Sequence, residues 1–262
     1  VQELNAANLR ALTQGLLPAI HVREFASSEE CHRLCTAIKS CAADSIEAST
    51  SPMSLIGSNL SNSMHLSKAQ YFKAAEQSWQ QLEDITRVAD FRPLDRVVET
   101  LSGLWSAPVA VASEPLFGRY FAGGIKTRVA GSALHFDFAP ITTDKYSIGK
   151  IVDQLSWNLY LDMPAATGST TIYNAPIDTN VRAAPNAADG SEMSGHWPNK
   201  LSPESVQDAE AYTFRPEVGE LALLNTRYPH TVLMDDVKDG EWRAQTGSFI
   251  GRLADQQLVL WS

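Results

Sequence analysis

Cysteine, basic charge and long apolar runs are all in short supply. Cys31, Cys35 and Cys41 are the only cysteines in 262 residues. An odd number crowded into one short stretch does not build a disulfide framework, so a reducing, cytoplasmic setting is expected. Cys31 and Cys35 fall one helical turn apart with no second ligand pair, so neither they nor the adjacent His32 read as a zinc site. Lysine and arginine number 21 against 30 acidic residues, a formal charge of −9. That leaves no basic stripe for phosphate neutralisation and excludes nucleic acid as an expected partner. No apolar run approaches the roughly 18 residues of a membrane span, so no membrane partner is expected. The opening Val1–Leu12 lacks the charged start, apolar middle and small-residue cleavage site of a secretory signal.

What is present fits a globular protein: 44% hydrophobic and 19% charged residues, in a length at the upper end of one β-rich domain. One domain over 1–262 is expected, in two textures. In residues 1–106, PAIHVREF (Pro18–Phe25) reads as a short strand. Ser27-Ser28-Glu29-Glu30 places a capping box before a helix from Glu29 to Lys39. Ala43–Ser63 is polar and reads as loop, and Lys68–Arg87 and Arg92–Trp105 have apolar positions at helical spacing. This part is expected to buttress the rest. From 107 to 262 the chain breaks into short strands punctuated by Gly, Pro and Asn, among them DQLSWNLYLDM, GSTTIYNAP, GELALLN and QTGSFIGRL. Many short strands at even spacing predict a jelly roll, so the fold class is α+β, mainly β, with helices flanking a cupin-like barrel. Residues 177–211 form a polar segment longer than an ordinary connection and read as a lid-like insertion. His196 and Trp197 within it read as a loop tip.

The candidate chemistry begins at Leu134-His135-Phe136-Asp137-Phe138. Alternation along a strand turns His135 and Asp137 to one face and the three apolar residues to the other. A lone His-x-Asp is a weak signal among six histidines. It gains weight from Pro216–Asn225, where Gly219 permits a tight turn into an apolar strand, and from the next strand, which opens on His230. Two histidines and one carboxylate on one face of a metal are the ligand set of non-haem Fe(II) oxygenases, leaving positions open for a chelating cosubstrate and O2. A dianionic 2-oxo acid needs a cation for its distal carboxylate. Arg243, just before the strand Ala244–Arg252, is the candidate. His21, His32 and His65 have no ligand partner at useful spacing.

The series His135-x-Asp137, Gly219, His230, Arg243 resembles the 2-oxoglutarate/Fe(II) dioxygenase superfamily from about Val97 to Ser262. VVETLSGL, LSWNLYLDMPAATGSTTIYN, RPEVGELALLN with YPH, RAQTGSF and the closing Trp261-Ser262 resemble, more narrowly, its carrier-independent small-molecule halogenases and hydroxylases. The resemblance implies a double-stranded β-helix with the metal at the barrel mouth. It also implies Fe(II), 2-oxoglutarate and O2 as cofactor and cosubstrates, with succinate and CO2 formed as a C–H bond of the substrate is oxidised. In the halogenases of this group the carboxylate position is Gly, which leaves room for chloride; Asp137 here favours hydroxylation. Phe136, Phe138 and Trp157 are the candidate pocket walls. Lys126, Arg128, Arg215 and Arg227 suit a small anionic or zwitterionic substrate such as an amino acid or its derivative. Two other readings remain open on these residues. One is the same iron chemistry ending in desaturation, ring closure or epoxidation. The other is a cupin-like metal protein without oxygenase activity, which has no need of Arg243.

Overall fold

Polar caps decide where the N-terminal helices begin. In the computed structural model, which describes residues 2–42, 54–127, 131–163, 168–177, 200–234 and 243–262, helix α1 (Ala6–Thr13) starts where Asn5 accepts from the amides of Ala7 and Asn8. Strand β1 (Ala19–Val22) follows. Helix α2 (Ser28–Cys41) opens on the expected reciprocal pair, Ser27 and Glu30. Strand β2 (Ser54–Ile56) lies inside the stretch read as loop. Its three residues, Ser54-Leu55-Ile56, are too few to show a period. Helix α3 (Lys68–Ala89) has a second capping box, Ser67 with Gln70, and stops at Asp90 in the left-handed region. Helix α4 (Pro93–Leu104) carries its proline in the first turn, where the missing N–H costs nothing.

The remaining strands are β3 (Val109–Val111), β4 (Ser113–Glu114), β5 (Gly118–Arg119), β6 (Gly124–Thr127), β7 (Ser132–His135), β8 (Asp153–Asp162), β9 (Ser169–Tyr173), β10 (Ala211–Phe214), β11 (Leu221–Asn225), β12 (His230–Leu233), β13 (Ala244–Arg252) and β14 (Leu258–Trp261). Apart from β4 and β5, which pair only with each other, they form two facing sheets with β1 and β2. The larger runs β1-β11-β8-β13-β14-β3, with β6 and then β2 added beside β13, and the smaller runs β10-β9-β12-β7. This is the jelly roll, but the N-terminal part is more than a buttress: β1 pairs with β11 and β2 with β6, so it supplies two strands of the larger sheet.

Strand β8 shows why the layers stack as they do. Leu155, Trp157, Leu159 and Leu161 point outward into a core shared with Leu34 and Ile38 of α2 and Leu82 and Ile85 of α3. Each such side chain contributes roughly 1.5–3 kcal/mol by leaving water. The alternate residues Ser156, Asn158 and Tyr160 face the space between the sheets and line a cavity there. Helices thus seal one face of the larger sheet, and the polar face is left for the site.

Candidate metal centre

The end of β7 and the start of β12 are neighbours, and their register makes His135 and His230 cross-strand partners with ring centroids 4.2 Å apart. Asp137 follows after the strand has ended. Its amide donates to the Thr226 carbonyl at 2.8 Å, and the Thr226 hydroxyl donates back to the Asp137 carbonyl at 2.9 Å. That two-way clasp fixes the backbone of the carboxylate residue. Its Oδ2 lies 3.7 Å from Nε2 of His135 and 3.7 Å from Nε2 of His230. The three candidate ligand atoms lie within 4.8 Å of one another, close enough to share one ion.

Both imidazoles are oriented from behind. Nδ1 of His135 lies 2.8 Å from the Ala133 carbonyl and Nδ1 of His230 lies 2.9 Å from the Tyr228 carbonyl. A carbonyl only accepts, so each Nδ1 carries the proton and Nε2 keeps a lone pair turned toward Asp137. Burial first, then the nearby His135, pushes the pKa of His230 down to about 4, against the opposing pull of Asp137 and the Tyr228 carbonyl. His230 is therefore neutral near pH 7, the form a metal requires.

Arg243 sits on the same cavity, 3% exposed. It donates to Met234 Sδ and, at 3.3 Å, to Gln245 Oε1, and its guanidinium lies 5.9 Å from the Tyr160 ring centroid. Its Nε is buried with no partner, and it has no carboxylate partner among the described residues. Burial pulls the guanidinium below its ordinary pKa, with Tyr160 opposing. A buried cation held by neutral acceptors is incomplete, and an anionic ligand would complete it. The donor set therefore fits an oxygen-binding metal such as Fe(II) together with a carboxylate-bearing chelator.

The cavity is about 450 Å³, large enough for two small molecules side by side. In place of the aromatic walls expected at Phe136, Phe138 and Trp157, it is lined by Ser156, Asn158, Tyr160, Thr170, Gln245 and Phe249, among others. For Trp157 the reason is the strand period, which points it into the helix-covered core; Phe136 and Phe138 follow the end of β7 and are buried without lining the cavity. Of the basic residues considered for substrate, Lys126 lines the cavity. Arg227 is paired with Asp153 at 3.3 Å, and Arg215 is exposed beyond β10. Arg128, His196 and Trp197 lie outside the described residues, as does most of the 177–211 insertion. Its final part is described: Lys200 forms a bridge to His135, and the Leu201 amide donates to the Leu134 carbonyl. Thr226 was not singled out from sequence; its place in the short connection LLNTRYPH just before His230 was the available signal.

A family model described as the carrier-protein-independent halogenase WelO5 matches residues 2–262. An L-gamma-glutamyl-L-propargylglycine hydroxylase of Streptantibioticus cattleyicolor is 26% identical over 222 residues, covering 80% of this chain and 75% of the relative. The leucinostatins biosynthesis cluster protein S of Purpureocillium lilacinum is 29% identical over 166 residues, covering 59% of this chain and 63% of its own length. Among solved structures, an N-substituted L-amino acid dioxygenase of Burkholderia ambifaria in complex with alpha-ketoglutarate superposes with a TM-score of 0.59. It is 14% identical and covers 98% of this chain and 91% of that one, a likeness of fold.

Proposed function

The chain belongs to the carrier-protein-independent halogenase family, and from that premise we propose that it hydroxylates an unactivated C–H bond of a free small molecule, an amino acid or a derivative of one. It is an enzyme of the iron- and 2-oxoglutarate-dependent oxygenase class. The observation that carries the reading is the convergence on one cavity of His135, Asp137 and His230 with a buried Arg243 that has no acidic partner among the described residues.

His135 and His230 would hold Fe(II) through Nε2, and Asp137 would hold it through a carboxylate oxygen. The iron, when bound with 2-oxoglutarate and O2, supplies oxidative decarboxylation coupled to C–H hydroxylation. Arg243 takes the distal carboxylate of 2-oxoglutarate, giving its unpartnered Nε an acceptor and orienting the keto acid. The Ala133 and Tyr228 carbonyls keep the imidazole protons on Nδ1, and Thr226 keeps Asp137 in place. Asp137 would also separate the two outcomes of the family, because its carboxylate stands where the halogenases of this group have Gly and leave room for chloride. The relation to a hydroxylase of a γ-glutamyl amino acid supports a substrate derived from amino acids, and the leucinostatin relative supports a place in specialised metabolism.

The test is succinate formation with Fe(II) and 2-oxoglutarate across a library of amino acids and their derivatives. One compound class is expected to raise it well above the rate without substrate; no stimulation by any compound would sink the substrate reading. Asp137→Gly is expected to lower hydroxylation by at least about 100-fold, more than the loss of an outer hydrogen-bond partner causes. Undiminished hydroxylation in that variant would remove Asp137 from the ligand set.

A further inference from the structure

One cation in the cavity has no task in that chemistry. Lys126 lies within β6, its Cα opposite Gln245 of β13 on one side and Leu55 of β2 on the other. Both neighbours line the cavity with it, and Gln245 is in turn opposite Tyr160 of β8. Cross-strand partners project to the same face, so Leu55, Lys126, Gln245 and Tyr160 form one row across the cavity floor. Among the described residues the Lys126 ammonium makes neither a hydrogen bond nor an ion pair. Burial, with the Arg243 charge adding to it, pushes the amine below its ordinary pKa, while Asp137 opposes. An anion placed beside it would favour the charged form.

Charge accounting identifies what is missing. A ferrous ion, the Asp137 carboxylate, a doubly negative 2-oxoglutarate and the Arg243 guanidinium together sum to zero. Lys126 is left over inside the cavity, and the exposed Lys200 is left over at its rim. The described lining thus carries three cations, Lys126, Lys200 and Arg243, against Asp137 alone, in a chain whose net charge is −9. The excess is local and opposite in sign to the molecule.

We propose that Lys126 is the substrate anchor: its ammonium binds a free carboxylate of the small molecule to be oxidised, entering from the β6 side. The substrate class is then an amino acid or N-acyl amino acid that keeps its carboxylate. This rests on the oxygenase reading and narrows it. Arg243 and Lys126, which flank Gln245, divide two acids between them, the cosubstrate on one cation and the substrate on the other.

Binding measured without turnover separates the two readings. The protein is loaded with Co(II) in place of iron and titrated calorimetrically with 2-oxoglutarate. It is then titrated with a panel of amino acids and N-acyl amino acids, each paired with its carboxamide. At least one acid is expected to bind roughly 10- to 100-fold more tightly than its amide, the span that a charge-assisted contact supplies. Lys126→Met is expected to erase that preference and Lys126→Arg to keep part of it, with 2-oxoglutarate affinity changed less than twofold in both. The proposal is overturned if the native protein binds acids and amides alike or binds neither. It is also overturned if Lys126→Met loses 2-oxoglutarate as Arg243→Met does, since Lys126 would then serve the cosubstrate. Failure of native protein to bind 2-oxoglutarate at all is a separate result, and it overturns the oxygenase reading instead.

Discussion

Arg243 is the residue whose surroundings say most about its partner. It is 3% exposed, yet its described acceptors are a thioether and an amide oxygen, neither of which balances its charge. Leaving a guanidinium in that state costs stability, so its presence points to a ligand. Replacing it with methionine keeps the bulk and removes the charge. Initial-rate kinetics of Arg243→Met should give a KM for 2-oxoglutarate raised about 10- to 100-fold, with kcat at saturation moved less; an unchanged KM would take Arg243 out of cosubstrate binding. At this scale the sequence was informative about polar chemistry and poor about walls. His135, Asp137, His230 and Arg243 were recognisable because each is an unusual residue at a definite offset. Phe136, Phe138 and Trp157 were chosen for size, and size does not tell which way a ring points.

Elements place those residues, and two of them do so through backbone contacts. The turn before β11 is set by Gly219, whose φ is +83° and whose amide donates to the Tyr160 carbonyl at 2.8 Å. Its own carbonyl accepts from Ala26, and a Cβ built on it would lie 2.2 Å from the Ala26 carbonyl oxygen. This turn joins the N-terminal segment to the sheet that carries the site. Gly219→Ala meets both a left-handed backbone, about 1–2 kcal/mol, and a backbone collision. It should cost about 2–4 kcal/mol in all, read as a melting temperature lower by roughly 5–10 °C in calorimetry. Among the elements, the capping box at Ser27 and Glu30 and the existence of strand β8 were legible, but the facing of its side chains was not, since Trp157 was expected on the cavity. In Asp153–Asp162 the apolar set and the polar set fall on opposite faces, and the polar set lines the cavity. Strand β2 was not legible, because its pairing with β6 is a tertiary event and its three residues carry no pattern of their own.

The whole molecule is tied across its layers by a buried carboxylate away from the site. Glu114 of β4 accepts from Lys68 of α3 at 2.5 Å, from the Tyr120 hydroxyl, and from the Ser147 amide at 2.8 Å. Burial by itself would raise its pKa; these donors outweigh burial and hold it at about 2 against an ordinary 4.5. With the folded value depressed, the stabilisation is complete above pH 4.5 and is lost as pH falls toward 2. The difference is about 3 kcal/mol at most. Glu114→Gln should therefore be less stable than the native chain at pH 7 yet lose less stability between pH 4.5 and 2, measured by denaturant unfolding across that range. Parallel acid limbs for the two proteins would show that Glu114 does not carry the effect. By itself the sequence determined the candidate ligand types, their order, the jelly-roll class and the excess of acid over base, because each is written in residue identity or in a period of two or of three to four. Only the tertiary structure decided that β1 and β2 complete the larger sheet, that Thr226 clasps Asp137, and that Lys126 lines the cavity with no hydrogen-bond or ion-pair partner among the described residues while Arg227 is paired with Asp153. Those facts depend on which strands, far apart in the chain, come to lie side by side, and no local pattern encodes that distance.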